Sequence, residues 1–291
     1  MFDFIPVSSY TTLQYNILLL ITVVILLHAF SYNIEDQKSV YFFNILGIIV
    51  AVLYTLYIGQ RQVNYRFGDT VNYNQAYQLL VNGKDLNITK DYLFNYMMVA
   101  SSKVMSVRSF FQIVDVLYII PCVVFSKKYF GKYWFFSFFM FLASFSFWSY
   151  GVNGLRNGLG TAAFILGLCF YSQKIWMYGI FLVSYFFHAS LVIPIVAFVL
   201  SGIYKNPKIY IYIWLASIPL SLAGGSAWTN FFASLGFAED RTQGYLTGGE
   251  QYAEQFSQTG FRWDFLLYSF SAVFAGWYYI FKKNVDRKSV V

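Results

Sequence analysis

The feature that most constrains this chain is a succession of apolar runs, each about long enough to cross a lipid bilayer. A crossing helix rises about 1.5 Å per residue and must cover about 30 Å of hydrocarbon, so it needs roughly 17–25 mostly apolar residues. Such runs lie near 14–32, 41–59, 108–126, 133–150, 156–173, 208–223 and 263–281. The stretch 175–204 is long for one crossing and tight for two. Lys174 on one side, with Lys205 and Lys208 on the other, favours a hairpin of two short helices turning at Phe187-His188-Ala189-Ser190. The reading is an all-α polytopic integral membrane protein of about nine transmembrane helices. It forms a single membrane domain over 1–291 with larger outer loops at about 59–107 and 224–262. A hydrophobic share of 58%, a mean hydropathy of +0.53 and only 11% charged residues exclude a soluble fold. Residues 91–107 carry Ser101, Ser102 and Lys103 in their later half, so they read as an interfacial amphipathic helix. No Lys or Arg precedes Lys38, so the basic n-region of a cleaved leader is missing and the first run is expected to remain a helix.

A formal charge of +7 would suggest nucleic acid in a soluble domain, but here Lys and Arg collect between apolar runs and report topology. One set of connections holds ten lysines and one arginine: Lys38, Lys127, Lys128, Lys132, Lys174, Lys205, Lys208, Lys282, Lys283, Arg287 and Lys288. The other set, 59–107, the Gly151–Asn157 turn, the His188 turn and 224–262, holds or borders three lysines and six arginines. The lysine-rich set is read as cytoplasmic. Arginine offers a planar fork of donors that grips phosphate or carboxylate at two points, so the outer face reads as an anion-binding surface. Cys122 and Cys169 lie inside apolar runs without metal-ligand spacing, and no carboxylate cluster of that kind occurs in the outer loops. Neither a metal nor a cofactor is expected.

Four outer segments carry residues with chemistry. In the first, Arg66-Phe67-Gly68-Asp69 precedes Tyr73 and Tyr77, which share a face if Asp69 or Thr70 caps a helix. Arg66 is suited to a phosphate, Asp69 to polarising or deprotonating a hydroxyl, and the tyrosines to stacking on sugars; an N-cap and a headgroup anchor are the plainer uses. The second, Gly151-Val152-Asn153-Gly154-Leu155-Arg156-Asn157-Gly158, is a glycine-rich turn feeding a helix that opens with Arg156 and Asn157. Exposed N–H groups, the positive dipole end and an arginine suit a pyrophosphate, while Gly154 and Gly158 also suit close helix packing. The third is His188, at the outward turn of the hairpin, a residue able to take a proton near neutral pH. The fourth, 224–262, contains Glu239-Asp240-Arg241 and Tyr245 and is longer than a connection needs, as a lid would be.

Arg66-Phe67-Gly68-Asp69 with Tyr73, then Gly154-Leu155-Arg156-Asn157, Phe187-His188-Ala189-Ser190, and Arg241 with Tyr245, in this order on one side, resemble the EpsG-type family of polysaccharide polymerases. That broad group includes the Wzy-like O-antigen and capsule polymerases. The resemblance covers roughly 40–281. It implies transfer of a growing glycan from one undecaprenyl-pyrophosphate carrier onto the nonreducing end of another lipid-linked repeat unit. The reaction would take place at the outer face of a bacterial cytoplasmic membrane, facing periplasm or cell exterior. Also implied are the bilayer and a chain-length regulator as partners, with no nucleic acid. In that frame His188, or in its place Asp69, is the base on the acceptor hydroxyl. Arg156, Arg66 and Arg241 hold pyrophosphate, and Tyr73, Asn157 and Tyr245 contact substrate. An O-antigen ligase, which uses the same donor with a different acceptor, and a flippase for lipid-linked sugars are the alternatives. No inverted repeat or broken midplane helix favours the latter.

Overall fold

The computed structural model describes residues 2–234 and 263–282, and its regular structure there is entirely helical. The chain divides into two compact units, Met1–Phe198 and Val199–Val291.

The first unit begins with an antiparallel pair, α1 (Val7–Ser31) and α2 (Gln37–Gly59). At one end the Tyr10 and Tyr57 rings stack at 4.1 Å and the Tyr57 hydroxyl donates to the Tyr10 carbonyl at 2.7 Å. At the other end His28 meets the Ser39 hydroxyl at 2.9 Å. Helix α5 (Val107–Phe130) folds back at Gly131 into α6 (Trp134–Ala143) and α7 (Phe145–Val152). Ser126 bonds to Ser137 at 3.1 Å, and the Tyr118 hydroxyl donates to the Phe147 carbonyl at 3.1 Å. The expected single helix over 133–150 is therefore two. Ser144 adopts extended backbone and its hydroxyl donates to the Phe141 carbonyl, the local competition with helix bonding that serine offers.

Helix α8 (Leu155–Leu168) runs parallel to α5, so that the Lys128 ammonium reaches the Cys169 carbonyl and the Tyr129 hydroxyl donates to the Leu168 carbonyl at 2.6 Å. Helix α9 (Lys174–Phe187) leads through a 3-10 turn, Ala189–Leu191, into α10 (Val192–Ile203). Phe181, before the turn, meets Phe198, after it, at a centroid distance of 5.3 Å, so the expected hairpin forms with its turn at His188. At 14 and 12 residues these helices are about 21 and 18 Å long, shorter than a full crossing. Among the described residues, three helical stretches, Val7–Ser31, Gln37–Gly59 and Val107–Ala143, are long and apolar enough to span a membrane, and several shorter apolar helices accompany them.

Between α2 and α5 the sequence suggests a large loop, and the structure gives it shape. A 3-10 turn (Tyr65–Phe67) precedes α3 (Thr70–Val81) and α4 (Tyr92–Ser102). Phe94, Met98 and Ser101 form the buried stripe of α4, the amphipathic pattern expected of it. Elsewhere the aromatic load fills the interior, with Phe43, Phe110, Phe111, Phe135 and Phe138 fully buried. Lipid gives helices little hydrophobic reason to associate, so close side-chain packing of this kind has to hold them together.

Basic residues distribute unevenly along the unit, with Lys84, Lys90 and Lys103 in the segment between α2 and α5. Lys38, Lys127, Lys128, Lys132 and Lys174 lie where α2 begins, α5 ends and α9 begins. Arg61, Arg66, Arg108 and Arg156 lie where α2 ends and α5 and α8 begin. One of these arginines belongs to the scaffold and not to an anion-binding surface. Arg61 is fully buried and pairs with Asp115 at 3.0 Å, also donating to the Ile58 and Val152 carbonyls. Arg108 is bidentate to Asp3 at 3.0 and 3.1 Å.

In the second unit, α11 (Pro207–Ser234) is tied to the helix Trp263–Trp277 by a 3.1 Å bond from the Trp214 indole to the Ser269 hydroxyl. A π-helical turn, Tyr278–Lys282, follows. The backbone of α11 stays helical past residue 223, so the segment read as an outer loop from 224 begins as helix.

Candidate functional site

The candidate site lies in the first unit, at the arginine-bearing end, and its scaffold is the turn between α7 and α8. Asn153 receives the Asp69 backbone N–H on its Oδ1 at 2.7 Å. The Val152 carbonyl accepts from the Thr70 hydroxyl at 2.6 Å and from Arg61 at 3.3 Å. These bonds seat the Arg66-Phe67-Gly68-Asp69 loop directly on the turn that launches Arg156. Gly68 makes the seat possible: its φ is +58°, and a Cβ there would stand 2.2 Å from Asn153 Oδ1. Gly158 lets α7 and α8 close up, since a Cβ would fall 2.8 Å from the Tyr150 carbonyl. The packing use of that glycine stretch and its use in presenting Arg156 thus coexist.

Arg156, in the first turn of α8, extends to Asp91, its Nη1 standing 2.6 Å from Asp91 Oδ2. Its Nε reaches the Tyr73 hydroxyl at 3.4 Å, and the guanidinium stands 5.9 Å from the centre of that ring. Tyr73 is buried against Phe94, with ring centres 5.4 Å apart. From the hairpin turn, His188 Nδ1 lies 3.1 Å from Asp91 Oδ1, and the Ala189 backbone N–H donates to the same oxygen at 3.3 Å. One buried carboxylate thus gathers the α8 arginine and the hairpin histidine, two groups far apart in the chain. The side chains of Arg156 and His188 keep 23% and 17% of their surface exposed, against 1% for Asp91, so the cluster opens outward through those two.

Burial acts to raise the Asp91 carboxyl, but the His188 hydrogen bond, the charges of His188 and Arg156 and the Ala189 N–H outweigh it and hold the group below the usual carboxylate range. An ionised carboxylate only accepts hydrogen bonds. The ring of His188 can then present its other nitrogen to a reactant, while Arg156 offers charge beside it. Such a pair can take a proton from a hydroxyl and steady a nearby anion.

Of the residues expected from the sequence, the structure brings together Arg156, His188 and Tyr73. Asn157 follows Arg156 in the same first turn. Arg66 lies on the exposed 3-10 turn, its backbone N–H bonded to the Asn64 side chain at 3.0 Å. Asp69 precedes α3 at the capping position without a side-chain capping bond, and its Oδ1 accepts from Asn72 at 3.1 Å. Arg241 and Tyr245 lie outside the described residues. Asp91 was not legible as a site residue, because an Asp just ahead of an amphipathic helix reads as an ordinary N-cap. Its backbone is left-handed, φ 51° and ψ 45°, and its side chain makes no capping bond, both uncommon for that role.

No curated protein and no solved structure matches the chain. The EpsG family model matches residues 44–291, a stretch that includes Asp91, Arg156 and His188. With most of its length matched, this chain belongs to the EpsG family.

Proposed function

We propose that this protein is a polysaccharide polymerase, a membrane glycosyltransferase that moves an undecaprenyl-pyrophosphate-linked glycan onto another lipid-linked repeat unit. EpsG membership supports an exopolysaccharide-related membrane protein with polymerase-like chemistry. The observation that carries the reading further is the meeting of Arg156 and His188 on one buried carboxylate, at the end of the unit that carries Arg61, Arg66 and Arg108. Taking the lysine-bearing end as cytoplasmic under the positive-inside rule turns that site to the outer face of the bacterial cytoplasmic membrane, in a fold of about nine crossings.

In this reaction the acceptor hydroxyl oxygen forms a bond to the donor's anomeric carbon, and the bond from that carbon to the pyrophosphate oxygen breaks. His188 takes the hydroxyl proton, with Asp69 as the alternative base. Arg156, together with Arg66 and Arg241, balances charge on the departing pyrophosphate. Tyr73 supports Arg156 from below, while Asn157 and Tyr245 contact substrate. The leaving group is already activated and arginine supplies the neutralising charge, so the scheme uses neither nucleotide nor metal. A chain-length regulator is the expected protein partner.

The test is the surface-glycan ladder of a strain lacking the gene. Single repeat units on the acceptor support the proposal. A complete ladder held on the lipid carrier would indicate a ligase, and loss of exported units a flippase; either overturns it. A His188→Ala protein that inserts normally and still gives full-length polymer removes the role of His188.

A further inference from the structure

The strongest unexplained feature of the site is Asp91 itself. Among the described residues it is the one non-glycine residue with positive φ, a conformation uncommon for residues with a side chain. A residue at its position ordinarily turns its side chain back to cap the helix it precedes, yet here α4 receives no such bond. The carboxylate is instead turned toward α8 and the hairpin, and its two oxygens are divided between them. Oδ2 takes Arg156 at 2.6 Å, while Oδ1 takes His188 Nδ1 at 3.1 Å and the Ala189 N–H at 3.3 Å. The left-handed backbone and the forgone cap are both explained if the aim of the side chain matters more than the cap.

We propose that Asp91 is the positioning residue of this site, holding His188 as the Nδ1–H tautomer, with the Nε2 lone pair presented to the acceptor hydroxyl and Arg156 tethered alongside. The carboxylate has only lone pairs to offer, so the proton between the two groups belongs to His188 Nδ1, and the neutral ring keeps its basic nitrogen on the other side. The inference rests on the glycosyl-transfer reading only for what the base is used for. As the new glycosidic bond forms, the hydroxyl proton moves to Nε2, and the resulting imidazolium stays bonded to Asp91 through Nδ1. That proton then passes to the released lipid pyrophosphate, which leaves the ring neutral again. The Ala189 N–H on the same oxygen keeps the carboxylate from rotating, and Arg156 does so from the other oxygen. Both therefore fix the ring's direction as well as its protonation.

The protein has two histidines, so a His28→Gln background leaves His188 as the one ring reported by nitrogen-15 histidine NMR. The expected spectrum shows a protonated Nδ1 and a bare Nε2 in the neutral ring. Asn fits the left-handed backbone, so Asp91→Asn should fold, and thermal melting checks that it does. Its amide can donate to Nδ1, which moves the ring population toward Nε2–H, and polymer output should fall by about 10²-fold or more. Asp91→Glu should restore part of that output. A neutral wild-type ring found as Nε2–H overturns the proposal by itself, whether or not the variants fold. So does an Asp91→Asn protein with an unchanged tautomer, or one with full polymer despite the changed tautomer. An Asp91-dependent Nδ1–H tautomer in a protein whose deletion leaves the glycan ladder intact supports the positioning role while removing the polymerase reading, so the two fail separately.

Discussion

Replacing Asp115 with alanine should be the most damaging single change to the scaffold. Arg61 and Asp115 both have fully buried side chains and meet at 3.0 Å, and the guanidinium also stands 5.0 Å from the centre of the Phe111 ring. Removing the carboxylate leaves a buried cation that reaches the Ile58 and Val152 carbonyls and has no countercharge on Asp115. Breaking one side of a sealed pair costs about 3–5 kcal/mol. For a unit of this size, about 2–4 °C of melting temperature per kcal/mol translates that into a fall of about 6–20 °C. The double variant Arg61→Met with Asp115→Leu removes both charges and fills similar volume, so it should recover most of the loss. The residual deficit measures what else Arg61 contributes, its bonds to the Ile58 and Val152 carbonyls and its contact with the Phe111 ring. Thermal unfolding of the detergent-solubilised protein, with Arg61→Met and Asp115→Leu also made singly to close the double-mutant cycle, gives the numbers. A fall of less than about 2 °C for Asp115→Ala, or a double variant as unstable as the sum of the singles, refutes the reasoning.

Gly68→Ala should lower polymer output several-fold while leaving helix content by circular dichroism unchanged, because the new Cβ would displace Asn153 from the Asp69 N–H and strain a φ of +58°. Thr70→Val keeps side-chain volume but removes the donor to the Phe67 and Val152 carbonyls, and should cost about 1–3 kcal/mol in thermal unfolding. Asp91 is held below its ordinary carboxyl value of 3.8, so its ionic contribution is complete above that value and is lost as pH falls through the lower folded value. The melting advantage of wild type over Asp91→Asn should therefore persist at pH 5 and shrink below about pH 4, as a pH series of unfolding curves would show.

The parts legible from sequence were those fixed by local pattern. The apolar runs place the long helices, the lysines flanking 175–204 place the hairpin turn at His188, and Thr70 opens a helix with Tyr73 and Tyr77 on its buried face. Ser144 splits a run that hydropathy alone presents as continuous, since a serine that bonds its own preceding turn leaves the apolar average almost unchanged. What the pattern does not encode is pairing across the fold. Arg61 and Arg156 look alike as arginines bordering outer segments, and only their three-dimensional partners, Asp115 within α5 and Asp91 ahead of α4, separate a sealed structural clamp from a partly exposed pair. The sequence hides the place of Asp91 in the same way, for it is local to a helix that it does not cap.

A count of arginines also overstates the anion-binding capacity of that end of the unit, and the degree of sealing shows where capacity remains. An anion can compete for a guanidinium only if it can reach it, and displacing a carboxylate costs least where both partners regain contacts on separation. The Arg61–Asp115 pair meets neither condition, for both side chains are wholly enclosed. In the Arg156–Asp91 pair the arginine is partly exposed, and the carboxylate it would leave still has His188 and the Ala189 N–H. A pyrophosphate arriving at Arg156 would therefore take over a charge without stranding Asp91, and His188 would be left as the chief claimant on that carboxylate. Under the proposed function, anion binding and the orientation of the base would be coupled through one side chain, which would give a reason for three elements of the unit to converge on Asp91.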